Sequence, residues 1–271
     1  MYQTLYEGGN AIAQSNPVNQ VDVPGIIAAV KRELPSALLK NLQVDIGSAG
    51  FKVDASGKSL PSGDIDVMVE AADVVLVFET NNDPKDPVKA AKQAMKTYFE
   101  AKGIEAVPNG RNVSIGIKYK EQATGKEKVA QVDIMVIHDV NVVAPYHQHG
   151  PRGMYKDPTF KGNAIFILMN SIGKFLGLKF DAFGAKLMRR DDNTVVARSR
   201  DEVAKILLNP KATADDLNSV GTIIAALAND PDKEGKLAQA KQDQAKGLLT
   251  LPETAPTPGT AAWFRKMGHT L

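Results

Sequence analysis

Ser62-Gly63-Asp64-Ile65-Asp66-Val67-Met68-Val69 decides how this chain reads. Ile65, Val67 and Val69 alternate with Asp64, Asp66 and Met68, the period of two that belongs to a strand. The apolar set therefore turns to one face and both acids to the other. Two carboxylates so placed project side by side and repel, and an apolar strand seldom carries such a pair unless its charge is compensated. A divalent metal is the simplest compensation. The later run Val132-Asp133-Ile134-Met135-Val136 sets a third lone acid inside an apolar strand. Taken singly, each Asp reads more simply as a strand cap or a water-facing group on a half-exposed sheet. Taken together, the three predict one shared metal site.

Around this stretch, Gly47-Ser48 and Ser62-Gly63 are turns that can present backbone N–H groups and a hydroxyl to a phosphate. A strand is expected at Gln43 to Ile46, and the segment from Gly47 to Gly63 is polar and glycine-bearing. Residues 1–21 read as a polar arm, after which Asp22 and Pro24 open a helix with Ile26, Ile27, Val30 and Leu34 on one face. Asp83, Pro84, Asp86 and Pro87 punctuate the start of a second helix, which runs through Ala91, Met95 and Phe99 and stops at Gly103. Asn112 to Tyr119 and Val129 to Ile137, joined across Gly125, read as a hairpin, and Val74 to Phe78 as a buried core segment. Beyond a loop from Pro145 to Pro158, helices are expected at Asn163 to Leu176, Arg200 to Leu208 and Ala214 to Asn229, with a short strand at Thr194 to Ala197. Residues 233–271 read as a surface helix followed by an extended strap. Strands and helices mix without strict alternation, which is the α+β class.

The chain has 271 residues and 43% hydrophobic content, enough to bury a sizeable core. With no Cys, disulfides, thiol nucleophiles and Cys-ligated zinc are excluded. A net charge of +2 announces no dominating basic surface, although a local basic groove is compatible with it. Met1 to Pro17 lacks the basic start and apolar core of a signal peptide, and no apolar run approaches the roughly 20 residues of a membrane helix. The expected location is the cytoplasm, with no membrane partner.

Gly47-Ser48, Ser62-Gly63-Asp64-Ile65-Asp66 and Val132-Asp133-Ile134 together resemble the signature of the DNA polymerase beta-like nucleotidyltransferase superfamily. That signature is a Gly-Ser pair, a Gly/Ser-Asp-x-Asp strand and a third Asp on a later strand. The chain looks closest to family X DNA polymerases, because Thr159-Phe160-Lys161-Gly162-Asn163 also resembles their Tyr-Phe-Thr-Gly-Ser turn at the sugar of the incoming nucleotide. The resemblance runs from about residue 40 to about residue 210. It implies a mixed sheet with flanking helices, a small thumb-like helical and strand subdomain, and a C-terminal helical tail. In those terms residues 1–21 are an arm, 22–145 the palm-like domain, 146–210 the thumb-like subdomain and 211–271 the extension.

The activity so implied is transfer of a nucleoside monophosphate from an NTP or dNTP to an acceptor hydroxyl, with release of pyrophosphate. Asp64 and Asp66 would bridge two Mg2+ or Mn2+ ions about 3.5–4 Å apart, and Asp133 would bind the ion that activates the acceptor. The nucleotide contacts would come from Gly47, Ser48, Ser62, Gly63, Phe160, Lys161, Gly162 and Asn163. The arginines that family X polymerases carry soon after the Gly-Ser pair are missing, and Lys52 and Lys58 are their candidate substitutes for gripping the triphosphate. The segment from Gly47-Ser48 to Asp64 is longer than the family pattern. Little chain precedes Gly47, so single additions rather than processive synthesis are implied. A nucleic-acid end is the expected acceptor. A protein or small-molecule acceptor, or an inactive nucleotide-binding or virion-associated protein of the same fold, stays open. The opening Tyr6-Glu7-Gly8-Gly9-Asn10 resembles nucleotidyltransferase-type proteins encoded by bacteriophages, which would act in the host cytoplasm.

His138, His147 and His149 follow the third acid at a spacing that does not diagnose a metal site, and read as loop or substrate-proximal groups. Arg152, Lys156 and Lys161 face a triphosphate, an acceptor backbone or solvent. Lys186, Arg189, Arg190, Arg198 and Arg200 make a locally basic stretch suited to a phosphate backbone, with Asp191 and Asp192 among them.

Overall fold

The protein is described by a computed structural model over residues 11–44, 46–47, 49–50, 58–79, 87–147 and 162–245. It divides into two compact units, Met1–Arg152 and Gly153–Leu271. In the first, the opening stretch becomes strand β1, Asp64–Glu70, at one edge of a four-stranded sheet with β2 (Ala106–Asn109), β3 (Asn112–Lys120) and β4 (Glu127–Ile137). The order is β1-β4-β3-β2, with β1 parallel to β4 and the other pairs antiparallel. The architecture is α+β with a mixed sheet, as the sequence predicts.

The two faces of this sheet differ because the period of two is obeyed on every long strand. Ile65, Val67 and Val69 of β1, Val132, Ile134 and Val136 of β4, and Val113, Ile115 and Ile117 of β3 share one buried apolar cluster. Helices cover that face. In α1 (Val23–Glu33), Ile26, Ile27 and Val30 are buried, and the helix ends where Leu34, ahead of Pro35, turns extended. In α3 (Pro87–Ala101), Val88, Ala91, Met95 and Phe99 form one stripe, and Gly103 closes the helix with a φ of +72°. Each such fully buried large side chain contributes about 1.5–3 kcal/mol. The opposite face carries Asp64 and Asp66, then Gln131 and Asp133, then Asn112, Ser114 and Gly116.

Several elements differ from expectation. Where a strand is expected at Gln43 to Ile46, the described residues show bridges at Gln43 and Ile46, and Gln43 and Met68 exchange both backbone hydrogen bonds at β1's outer edge. Val74 to Phe78 lies mostly within a short helix, α2 (Ala71–Val77), because so short an apolar run fits either period. The start of the expected 145–158 loop belongs to α4 (Val140–His147), which contains Pro145. Residues 148–158 lie outside the described residues, as do Asp83, Pro84, Asp86 and the opening Tyr6 to Asn10.

The second unit contains α5 (Gly162–Phe175), a three-stranded sheet of β5 (Leu178–Asp181), β6 (Lys186–Arg189) and β7 (Val195–Ala197), and α6 (Arg200–Leu207). The helix expected over Ala214 to Asn229 is two elements. A 3-10 turn at Ala214–Leu217 is followed by α7 (Val220–Leu227), because Ser219 adopts an extended φ of −156° and caps the new helix through the Thr222 N–H. The expected surface helix is α8 (Lys233–Ala245). One side of it is buried, with Lys236, Ala240 and Asp243 inside and the helix packed on α5. No helix among the described residues is long and apolar enough to cross a membrane.

Candidate active site

Register places the acids. The parallel pairing sets Asp66 directly opposite Asp133 and Asp64 opposite Gln131, so the three carboxylates share one face of two neighbouring strands. Asp133 is buried, while Asp64 and Asp66 are partly exposed. Both Asp133 oxygens accept neutral donors, Oδ1 from Gln131 Nε2 at 2.9 Å and Oδ2 from Asn112 Nδ2 at 3.2 Å. Burial, followed by the negative charges of Asp64 and Asp133, pushes the Asp66 carboxyl well above the usual carboxylate range.

Two solved structures of Leishmania infantum polymerase beta are similar to this chain. The ternary gap complex aligns at a TM-score of 0.44 and 14% identity, covering 75% of this chain and 71% of that one. The ternary P/T complex aligns at 0.43 and 15%, covering 74% and 76%. No family model and no curated protein matches the sequence.

The donor set suits a hard divalent cation: three carboxylates share one face, and Asp66 among them is raised by burial and then by the charges of the other two. Among the described residues no three acidic or histidine side chains, as they stand, are gathered into a group that encloses an ion. His138 is exposed and His147 is buried in α4, while His149 lies outside the described residues.

Gly47 approaches the acids closely. A Cβ on it would collide with Asp66 Oδ2, and its φ of +71° is one that glycine alone adopts without strain. Its N–H is committed to the His147 carbonyl at 3.0 Å, and the Ser62 N–H to the Val18 carbonyl at 2.9 Å. The backbone donors that sequence reading offers to a phosphate at these two positions are therefore engaged inside the protein. Ser62 itself is buried ahead of Gly63, and Lys58 is exposed upstream of it. Gly162 and Asn163 form the first turn of α5, in the second unit. Ser48, Lys52, Phe160 and Lys161 lie outside the described residues, as do Arg152 and Lys156.

The basic stretch of the second unit is largely matched internally. Arg189 pairs with Asp191 at 2.6 Å, Lys186 with Asp181 at 3.8 Å, and Arg200 donates to the Ala214 carbonyl and the Asn218 side chain. Sequence reading missed Gln131 and Asn112. The only signal for Gln131 is that it lies two residues before Asp133 and so shares its face.

Proposed function

We propose that this protein is a metal-dependent nucleotidyltransferase that moves a nucleoside monophosphate from an NTP or dNTP to an acceptor hydroxyl, releasing pyrophosphate, with Asp64, Asp66 and Asp133 at its centre. The observation that carries this reading is the register that sets Asp66 beside Asp133 with Asp64 one step along the same face. Two Mg2+ or Mn2+ ions bound there would lower the pKa of the acceptor hydroxyl and neutralise the charge that develops on the leaving pyrophosphate. Asp64 and Asp66 supply oxygens from one strand. Asp133 supplies its own from the next, held in one rotamer by the amides of Gln131 and Asn112. Gly47 leaves the space that the Asp66 carboxylate occupies. No nucleophilic side chain is needed, since the acceptor oxygen attacks the α-phosphorus directly and the protein's part is positioning and charge compensation. A nucleic-acid end is the proposed acceptor.

The test is incubation with Mg2+ and α-labelled NTPs or dNTPs in the presence of DNA, tRNA or a cell lysate, beside an Asp64→Ala/Asp66→Ala variant. Label transfer that falls by about 1000-fold or more in the variant is expected, the scale on which central catalytic groups act. Transfer that survives the double substitution would refute the site.

A further inference from the structure

We infer that Gln131 is a positioning residue for Asp133, and that the N-terminal segment around Ala11 and Ile12 sets its orientation; this rests on the metal-site reading above. Gln131 is only 1% exposed and lies on the carboxylate face of β4. Its Nε2 donates to Asp133 Oδ1 at 2.9 Å, while its Oε1 accepts the N–H of Ala11 at 3.0 Å and of Ile12 at 3.1 Å. Two backbone donors fix which end of this amide is oxygen, so its NH2 end must face the carboxylate.

The N-terminal segment is itself anchored at several points. The Asn16 N–H donates to the Val129 carbonyl at 2.8 Å, and Val18 and Ser62 exchange backbone hydrogen bonds at 2.8 and 2.9 Å. Ile12 is buried against Gly116, where a Cβ would stand 3.3 Å from Ile12 Cγ2. One segment thus reaches both strands that carry the acids. It meets β4 through Gln131, and the turn into β1 through Ser62, two residues before Asp64.

The residue type suits the task. A neutral amide orients a carboxylate without cancelling its charge, whereas a Lys or Arg there would pair with Asp133 and compete with a cation. An apolar side chain would leave Asp133 Oδ1 without its amide donor, and the carboxylate restrained at one oxygen only. Asn112 restrains the second oxygen in the same neutral way, and each Asp133 oxygen keeps acceptor capacity beyond the amide it binds. Support of this kind behind a metal ligand is worth about 10–100-fold in metal affinity.

The experiment is an Mn2+ titration of the full chain, read from the EPR signal of free Mn2+ and so independent of turnover. The variants are Gln131→Met, Asp133→Asn and the double substitution. Gln131→Met is expected to raise the Mn2+ Kd about tenfold, and to have no further effect once Asp133 is Asn, because the two act as one unit. An unchanged Kd in Gln131→Met overturns the inference. So does an equal loss in both backgrounds, which is the signature of a merely structural role. If Gln131→Met does not fold, Ala11→Pro carries the same test. It deletes one of the two N–H donors from outside the site, and is expected to weaken Mn2+ binding a few-fold only while Asp133 is present. A wild-type chain that binds no Mn2+ would instead overturn the metal-site reading, and this inference with it.

Discussion

Asp230 and Asp243 of the second unit and Asp66 and Asp133 of the first are treated in opposite ways. In the second, Asp230 is buried against Lys236 at 2.9 Å, and that ammonium also donates to the Leu208 carbonyl at 3.2 Å. Asp243 accepts from the Ser171 hydroxyl at 2.9 Å and Gln239 at 3.2 Å, with Lys174 at 3.6 Å. In the first unit, Asp66 and Asp133 stand opposite each other, and among the described residues no Lys or Arg pairs with either. Lys236 neutralises Asp230, and Lys174 stands beside Asp243. On the first unit's sheet face, Asp133 is instead held by the neutral amides of Gln131 and Asn112.

The largest effect expected from breaking this contrast is in the second unit. Lys236→Met leaves Asp230 buried without its cation and should cost about 3–5 kcal/mol of stability, read as the midpoint of urea unfolding. The double variant Lys236→Met/Asp230→Leu should recover most of that loss, since removing both charges leaves no uncompensated ion. A single variant of wild-type stability would show that the pair contributes no structural compensation.

Charge removal should have the opposite sign in the first unit. In chelator, Asp66→Asn relieves repulsion from Asp64 and Asp133 and should raise Tm, by no more than about 2–4 °C because solvent screens a partly exposed cluster. Added Mn2+ should raise the Tm of wild type and leave that of the variant nearly unchanged. A variant less stable than wild type in chelator would mean that Asp66 is a structural acid like Asp243, and the contrast would collapse.

How much of this was legible in the sequence follows from the range of each signal. Period-two alternation is local, so Asp64-Ile65-Asp66-Val67 announced its own two faces, and the β3–β4 hairpin followed from two strand-like runs around a turn containing Gly125. Short elements carry too few residues for a period. β2, with four residues, and the β5–β6 pair passed unnoticed, and α2 read only as a core segment. The break before α7 rests on one backbone torsion at Ser219, where the apolar pattern alone continues without interruption. Gly47 was legible as a glycine with a purpose, but that purpose, clearance for a carboxylate many residues later, exists only once the chain has folded. Gln131 was silent for the same reason, because its partners Ala11 and Ile12 are remote in sequence.

The finest test of the contrast is the sign of its pH dependence. Burial acts to raise the Asp243 carboxyl, but the Ser171 hydroxyl, Lys174 and Gln239 outweigh it and hold the group below its ordinary value. A depressed folded pKa means that the stabilisation is present above the unfolded value of about 3.9 and is lost as pH falls through the folded pKa. The stability difference between wild type and Asp243→Asn should therefore shrink as pH drops below about 4. Asp66 is raised, so its protonated form favours the native state. Its contribution is fully present below about 3.9 and is lost as pH rises through the folded pKa. In chelator, the difference between wild type and Asp66→Asn should accordingly move against wild type as pH rises above about 4, whereas the Asp243 difference moves in favour of wild type as pH rises towards about 4. Urea midpoints for the three proteins across the acid range measure both slopes. Slopes of the same sign would mean that the two carboxylates are held by the same kind of environment, and that Asp66 needs no cation from outside.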